Sequence, residues 1–267
     1  AMMAAMMTVA NPGDKVVIFS PFYENYSADT ILSGAVPIYV PLTPPSFTFD
    51  PEVLEDAFRQ HPKALVLCNP SNPCGKVFTR EELEIIAGLA KKYDVYVITD
   101  EVYEHIIYAP HQHTYFATLP DMWERTLSCS SLSKTYSVTG WRLGYACGPK
   151  VILKQILKIH QFAIMCAPTT SQYAAIEALR HGDDDVEKMR DEYDRRRRFL
   201  LNAFDEMGIE CFEPYGAFYM FPSIKKFGMS SDEFATRLLK EEKIAVVPGT
   251  AFGDCGEGFL RISYAYS

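Results

Sequence analysis

Ser131-Leu132-Ser133-Lys134-Thr135-Tyr136-Ser137-Val138-Thr139-Gly140-Trp141-Arg142-Leu143-Gly144-Tyr145 is the most informative stretch of the chain. It follows the apolar run Thr126–Cys129 and merges into another, Leu143–Cys147. Lys134 therefore sits just past a strand, in a polar loop of small residues. An amine that is to condense with an aldehyde must be reachable and partly unprotonated. Burial and a nearby cation both lower a lysine pKa. Arg142, eight residues on, can be that cation and can also grip a phosphate with two prongs. An isolated S-x-S-K reads as an ordinary surface lysine. The full string is far more specific, because its context comes with it.

Outward from this loop, Val16–Phe19, Val36–Val40, Ala64–Cys68 and Val95–Thr99 are further apolar strand candidates. Runs that are apolar throughout suit a sheet covered on both faces. Helical patterns lie between them. The clearest is Arg80–Tyr93, where Thr79 can cap and Glu82 completes a capping box. This alternation predicts an α/β fold with a mostly parallel sheet. Helices over Lys150–Ile164 and Ser171–Arg180 follow, then the charged stretch Asp183–Arg198. Beyond it, strand candidates Ile209–Phe212, Phe218–Phe221, Ala245–Val247 and Gly258–Ser263, with a helix at Ser231–Glu242, predict a smaller α+β domain. The expected domains are 1–185 and 186–267.

Three other strings carry candidate chemistry. Tyr96-Val97-Ile98-Thr99-Asp100-Glu101-Val102-Tyr103 delivers an acid at the C-terminal end of a strand, where open α/β sheets bind ligands. A carboxylate there can hold a proton on a pyridine nitrogen, or it can simply cap a turn. Asn69-Pro70-Ser71-Asn72-Pro73-Cys74-Gly75 is a rigid turn after another strand, able to aim an amide or merely to turn the chain. Gly258-Phe259-Leu260-Arg261-Ile262-Ser263 places one arginine in an alternating strand, facing either solvent or a pocket where it would bind a carboxylate.

The bulk properties exclude several classes. A net charge of −8 argues against nucleic-acid and anionic-membrane partners. Seven scattered cysteines without a C-x-x-C pair fit reduced thiols and a cytoplasmic location. The apolar opening Ala1–Met7 is too short to span a bilayer and lacks a basic flank, so it reads as the tail of a buried helix whose start lies outside the chain. Arg195, Arg196 and Arg198 fall at i,i+4 from Asp191, Glu192 and Asp194, so the run Arg195–Arg198 is expected on a solvated, ion-paired helix face. His111-Gln112-His113 lies in a proline-bounded loop with no third ligand in view, so no metal site is expected.

Taken in order along the chain, these strings resemble the class I/II aminotransferases of pyridoxal-phosphate (PLP) fold type I. Asn11-Pro12-Gly13-Asp14, Ser20-Pro21-Phe22-Tyr23 and Tyr215-Gly216-Ala217-Phe218-Tyr219 add to the match. The resemblance implies a three-layer αβα large domain with a mostly parallel sheet, a smaller α+β domain, and a homodimer in the complete protein. It implies that Lys134 carries the cofactor as a Schiff base and acts as the base, and that Asp100 pairs with the pyridine nitrogen. It implies that Asn72 and Tyr103 hydrogen-bond the ring oxygen and Tyr23 stacks on the ring. Ser131, Ser133 and Arg142 would hold the phosphate, and Arg261, with Asn72, the substrate carboxylate.

The function so implied is transfer of an amino group from an α-amino acid, with aspartate a candidate through Thr139-Gly140-Trp141-Arg142, to a 2-oxo acid. Two other functions use the same fold. A carbon–sulfur β-lyase would need no 2-oxo acid acceptor. A ligand-sensing domain of a transcription regulator would carry a DNA-binding segment upstream. By resemblance, complete relatives have a glycine-containing phosphate loop upstream and a closing helix downstream. The chain is therefore expected to be a fragment that binds PLP weakly and turns over poorly.

Overall fold

The computed structural model describes residues 1–266. In chain order the regular elements are α1 (Met2–Val9), β1 (Lys15–Ser20), α2 (Asn25–Leu32), β2 (Val36–Pro41), α3 (Pro51–Phe58), β3 (Ala64–Cys68), α4 (Arg80–Lys92), β4 (Tyr96–Asp100), β5 (Thr126–Ser131), α5 (Leu132–Thr135) and β6 (Gly144–Cys147). They continue with α6 (Lys150–Ala163), α7 (Thr169–His181), α8 (Asp183–Glu206), β7 (Tyr219–Met220), α9 (Ser231–Glu242), β8 (Val247–Pro248) and β9 (Leu260–Ser263). The six expected strands of the first part all form, in the sheet order β2-β1-β3-β4-β5-β6. Every pairing is parallel except β5 with β6. The fold is α/β with a mostly parallel central sheet.

Successive strand residues point to opposite faces. Val17, Phe19, Leu65, Leu67 and Val97 therefore join one core with Leu54 of α3 and Leu83 and Ile86 of α4. Val16, Ile18, Val66 and Ile98 join another with Met6 of α1 and Ile152 and Ile156 of α6. Each fully buried aliphatic side chain contributes about 2 kcal/mol. The apolar runs of β1, β3 and β4 thus have a cause, since both of their faces are covered. β2 lies at the sheet edge and leaves Val36 and Tyr39 exposed. The Thr79–Glu82 capping box at α4 forms in both directions, satisfying N–H groups that the first turn cannot pair internally.

The second sheet, order β7-β9-β8, is antiparallel. It is not an isolated layer. Phe221, Phe252 and Phe259 belong to the same core as Phe47 and the first sheet. The Phe47 ring lies 6.0 Å from Phe221 and 5.9 Å from Phe259.

Three expectations need correction. Ile209–Phe212 is not a strand: it makes only the bridge Cys211–Pro222, because the chain turns at once toward Pro214. The arginine run is only partly a solvated face. Glu192–Arg196 and Asp194–Arg198 pair as expected, but Arg195 takes Glu192 rather than Asp191. Arg197 is buried against the Tyr108 ring, bonded to Asp194, Glu213 and the Pro214 carbonyl. His113 is not in an exposed loop either. Its side chain is buried beside Glu101, while His111 stacks on Tyr215 at 3.8 Å.

Candidate active site

Parallel strands bring their C-terminal ends to one sheet edge, and the ends of β1, β3, β4 and β5 with the segments that follow them carry all but one of the residues singled out above. Arg142 lies further along the loop after β5, and Arg261 comes from β9 of the second sheet. Lys134 lies in the single turn of α5, which Ser131 caps by accepting from Ser133 N at 3.0 Å. The Ser131 hydroxyl donates to the Leu143 carbonyl at 2.8 Å and lies 2.6 Å from Ser133 Oγ. Two non-glycine residues near Lys134, Ser137 and Arg142, take positive φ of 54°. Such backbone costs about 1 kcal/mol or more per residue and persists only where the surroundings demand it.

Lys134 Nζ points over the Phe218 ring, 5.8 Å from its centre, and 3.4 Å from Thr139 Oγ1. Partial burial holds its amine below the usual lysine range, and the Arg142 and then Arg261 guanidiniums push it further down, against the pull of Asp100. Asp100 keeps an open edge by surface area, yet protein surrounds it. Burial raises its carboxyl above the usual range, opposed by bonds from Tyr26 Oη at 2.7 Å and Val102 N at 3.2 Å. The carboxylate therefore does make the turn contact that an ordinary cap would make. It also receives a phenol from α2.

Tyr103 is buried, with its hydroxyl 2.9 Å from Tyr219 Oη. Burial, with Tyr219 next, pushes its phenol well above the usual range, so it stays a neutral donor. Tyr23 packs edge-on to Tyr26 at 5.7 Å. Its phenol is raised by burial, by Glu24 and by Asp100, and Arg261 opposes that rise. Arg261 faces inward, not to solvent: it donates to Asn72 Oδ1 at 2.9 Å and lies between the Tyr219 and Phe252 rings, at 4.5 and 4.6 Å. Arg142 is exposed, with Nη1 bonded to the Thr139 carbonyl at 2.9 Å.

Asn72 is aimed by its turn. Gly75 takes φ +72°, and its carbonyl accepts from Tyr215 N at 2.8 Å and Gly216 N at 3.0 Å. A Cβ on Gly75 would strike Pro214 and come within 2.9 Å of the Gly216 carbonyl. Gly75→Ala is therefore expected to cost about 3 kcal/mol in a urea denaturation, through strain and overpacking together. It should also weaken carboxylate binding by displacing Asn72 from Arg261.

Tyr26 and Tyr219 were not singled out in the sequence. Tyr26 lies three residues after Tyr23, near one helical turn, but α2 has no strong periodic signal from which to read that relation. Tyr219 meets Tyr103 across 116 positions, a contact that only tertiary packing makes.

The donor set fits PLP: a reachable amine of lowered pKa, an enclosed carboxylate, the paired hydroxyls of Ser131 and Ser133, the Arg142 guanidinium whose charge acts on Lys134, and the inward Arg261 guanidinium for a carboxylate. A mostly parallel α/β sheet with this set at its C-terminal edge suits the chemistry of a lysine amine on a carbonyl group. The profile described as "Aminotransferase class I and II" matches residues 1–267, and the chain belongs to that family of PLP-dependent enzymes, which transfer amino groups. The chain is 47% identical over 264 residues to "Putative aminotransferase YugH" of Bacillus subtilis, covering 98% of this chain and 68% of that protein. It is 41% identical over 268 residues to the aspartate aminotransferase of Pyrococcus abyssi, covering 99% and 69%. The solved aromatic aminotransferase from Pyrococcus horikoshii superposes with a TM-score of 0.96 at 40% identity, over 100% of this chain and 72% of that one. The chain thus spans about two thirds of the length of these relatives.

Proposed function

We propose that the chain carries the amino-transfer site of an α-amino acid:2-oxo acid aminotransferase, with aspartate the first donor to try. The observation that carries this is Lys134 at the C-terminal ends of the parallel strands: partial burial, then the Arg142 and Arg261 guanidiniums, hold its amine below the usual lysine range, with Asp100 opposing. When bound, the cofactor supplies an aldehyde for amines and a ring that accepts the electron pair freed at the substrate α-carbon. Lys134 would act as nucleophile and then move the α-proton at Nζ. Asp100, backed by Tyr26, would hold the proton of the ring nitrogen. Asn72 and Tyr103 would donate to the ring oxygen, and Tyr23 would cover a ring face. Ser131, Ser133 and Arg142 would hold the phosphate. Arg261, steadied by Asn72, binds the α-carboxylate in a two-pronged grip.

In this reading residues 1–185 form the cofactor-binding part and 186–267 the smaller part, divided at the first turn of α8. The complete protein is a cytoplasmic homodimer. All seven cysteines are free, which supports a reducing compartment. No described helix is long and apolar enough to cross a membrane. Val151, Leu157, Phe162 and Leu179 on α6 and α7 stand exposed, Phe162 at 90%, which supports burial against a partner.

The test is to add PLP, record the visible spectrum, reduce with borohydride and map the adduct by mass spectrometry. A pyridoxyl mass on Lys134 is expected, with slow transfer from aspartate to a 2-oxo acid. Product release without any 2-oxo acid would instead identify a β-lyase.

The pH dependence of trapping follows from the lowered amine pKa. A lower pKa leaves more neutral amine at any given pH. Borohydride trapping of pyridoxal, which lacks the phosphate, should therefore rise with pH at a midpoint below that of a free lysine. Arg142→Leu should move that midpoint upward, and Arg261→Leu should do so by less. An unchanged midpoint in both variants would contradict the electrostatic account.

A further inference from the structure

We propose that Glu101, Glu104 and His113 form a binding site for one divalent cation of the zinc class, beside the amino-transfer site and distinct from it. One ligand atom from each of the three lies within 4.8 Å of the others. The side chains are 3%, 5% and 6% exposed for Glu101, Glu104 and His113. Both ring nitrogens of His113 are buried without a hydrogen-bond partner. A buried polar group without a partner is costly, and a native structure rarely leaves one without a use. His113 Nε2 is aimed at Glu101 Oε1 from 3.7 Å, too far for a hydrogen bond. Two ligands about 2.1 Å from a tetrahedral metal stand roughly 3.4 Å apart, close to that spacing.

The charges point the same way. Two buried carboxylates need compensation. The basic side chains within 4.0 Å of them are His113, 3.7 Å from Glu101, and His105, half exposed and 3.8 Å from Glu104. A divalent cation with two carboxylates and a neutral imidazole makes a neutral set. The mixed nitrogen and oxygen donors suit zinc, cobalt or manganese better than calcium or magnesium, which take oxygen.

Support behind the ligands is present as well. Glu104 Oε1 accepts from Ser130 Oγ at 2.8 Å and from Tyr145 Oη at 3.0 Å, which orients that carboxylate and leaves lone pairs free. Among the described residues Glu101 has no side-chain hydrogen bond, so its oxygens are open to a cation. A water would complete a fourth position. The cation would fasten the loop that carries His113 to the ends of β4, β5 and β6. Those ends also carry Asp100 and Ser131.

The test is a Co(II) titration of the full chain, followed by zinc content after gel filtration. The expected result is one equivalent of Co(II) with weak visible bands, displaced by zinc and not by calcium. The intense near-ultraviolet band of cobalt–thiolate bonding should be absent, which sets the site apart from the seven cysteines. His113→Gln and Glu104→Gln should each weaken binding by at least about 10-fold. Zinc should raise the melting temperature of the unsubstituted chain and leave that of each variant unmoved. If one variant does not fold, the other carries the comparison, with Glu101→Gln as a third. No binding by the unsubstituted chain, a thiolate band only, or full binding in the folded variants would overturn the site. The cluster would then be a histidine shared by two carboxylates.

Discussion

Lys134→Ala is expected to yield no borohydride-trapped pyridoxyl adduct and to lower amino transfer by at least about 10⁴-fold, the upper range for a positioned acid–base group. The substitution removes both the nucleophile and the group that moves the α-proton. It should leave the fold intact, because Lys134 is partly exposed and its Nζ makes one long hydrogen bond, to Thr139. Cofactor should still associate through Asp100, Ser131 and Arg142, with a spectrum of free aldehyde. A trapped adduct on another lysine, or transfer within 10-fold of the unsubstituted chain, would show that the site is elsewhere.

Asp100→Asn is expected to lower transfer about 10³-fold, within the range of a positioned acid–base group, while leaving the cofactor-free chain at least as stable at neutral pH. The loss follows from removing the carboxylate that would hold the ring nitrogen's proton. The stability follows from the sign of the pKa shift. Burial raises the Asp100 carboxyl in the folded chain. A raised carboxyl makes the folded state bind more protons than the unfolded one. Its contribution is then fully present below the ordinary carboxylate range and is lost as pH rises through the raised value. At neutral pH the native chain carries that loss and the asparagine does not. The asparagine can still accept from Val102 N and donate to Tyr26 Oη. Thermal melts across pH should show the variant gaining on the native chain from acid to neutral pH. A variant markedly less stable at neutral pH would mean that the Tyr26–Asp100 bond outweighs the burial of charge.

The two substitutions separate the requirements of folding from those of chemistry. Asp100 is costly to bury and Lys134 contributes little to packing. Both therefore sit where a fold selected only for stability would place other residues.

The sequence by itself determined the central sheet, its helices and most of the candidate site. The apolar runs of β1, β3 and β4 are continuous because both of their faces are covered, and that can be read without coordinates. The α4 capping box is local, within four residues. The lysine loop carries its context within fifteen residues, and Asp100 ends a strand whose C-terminal edge is predictable from topology. Tertiary structure decided the rest. Arg261 could face either way along an alternating strand, and the choice came from Asn72, 189 positions earlier, and from two aromatic rings. Tyr26 reaches Asp100 across 74 positions. Arg197 left the solvated face because Glu213 and Tyr108 meet it from other elements. His113 had no partner in its own loop, and the β4 end supplied Glu101 and Glu104. In each case the deciding partner is remote in the chain. Periodicity and spacing report which face of an element is apolar, not which distant polar group will pack against it.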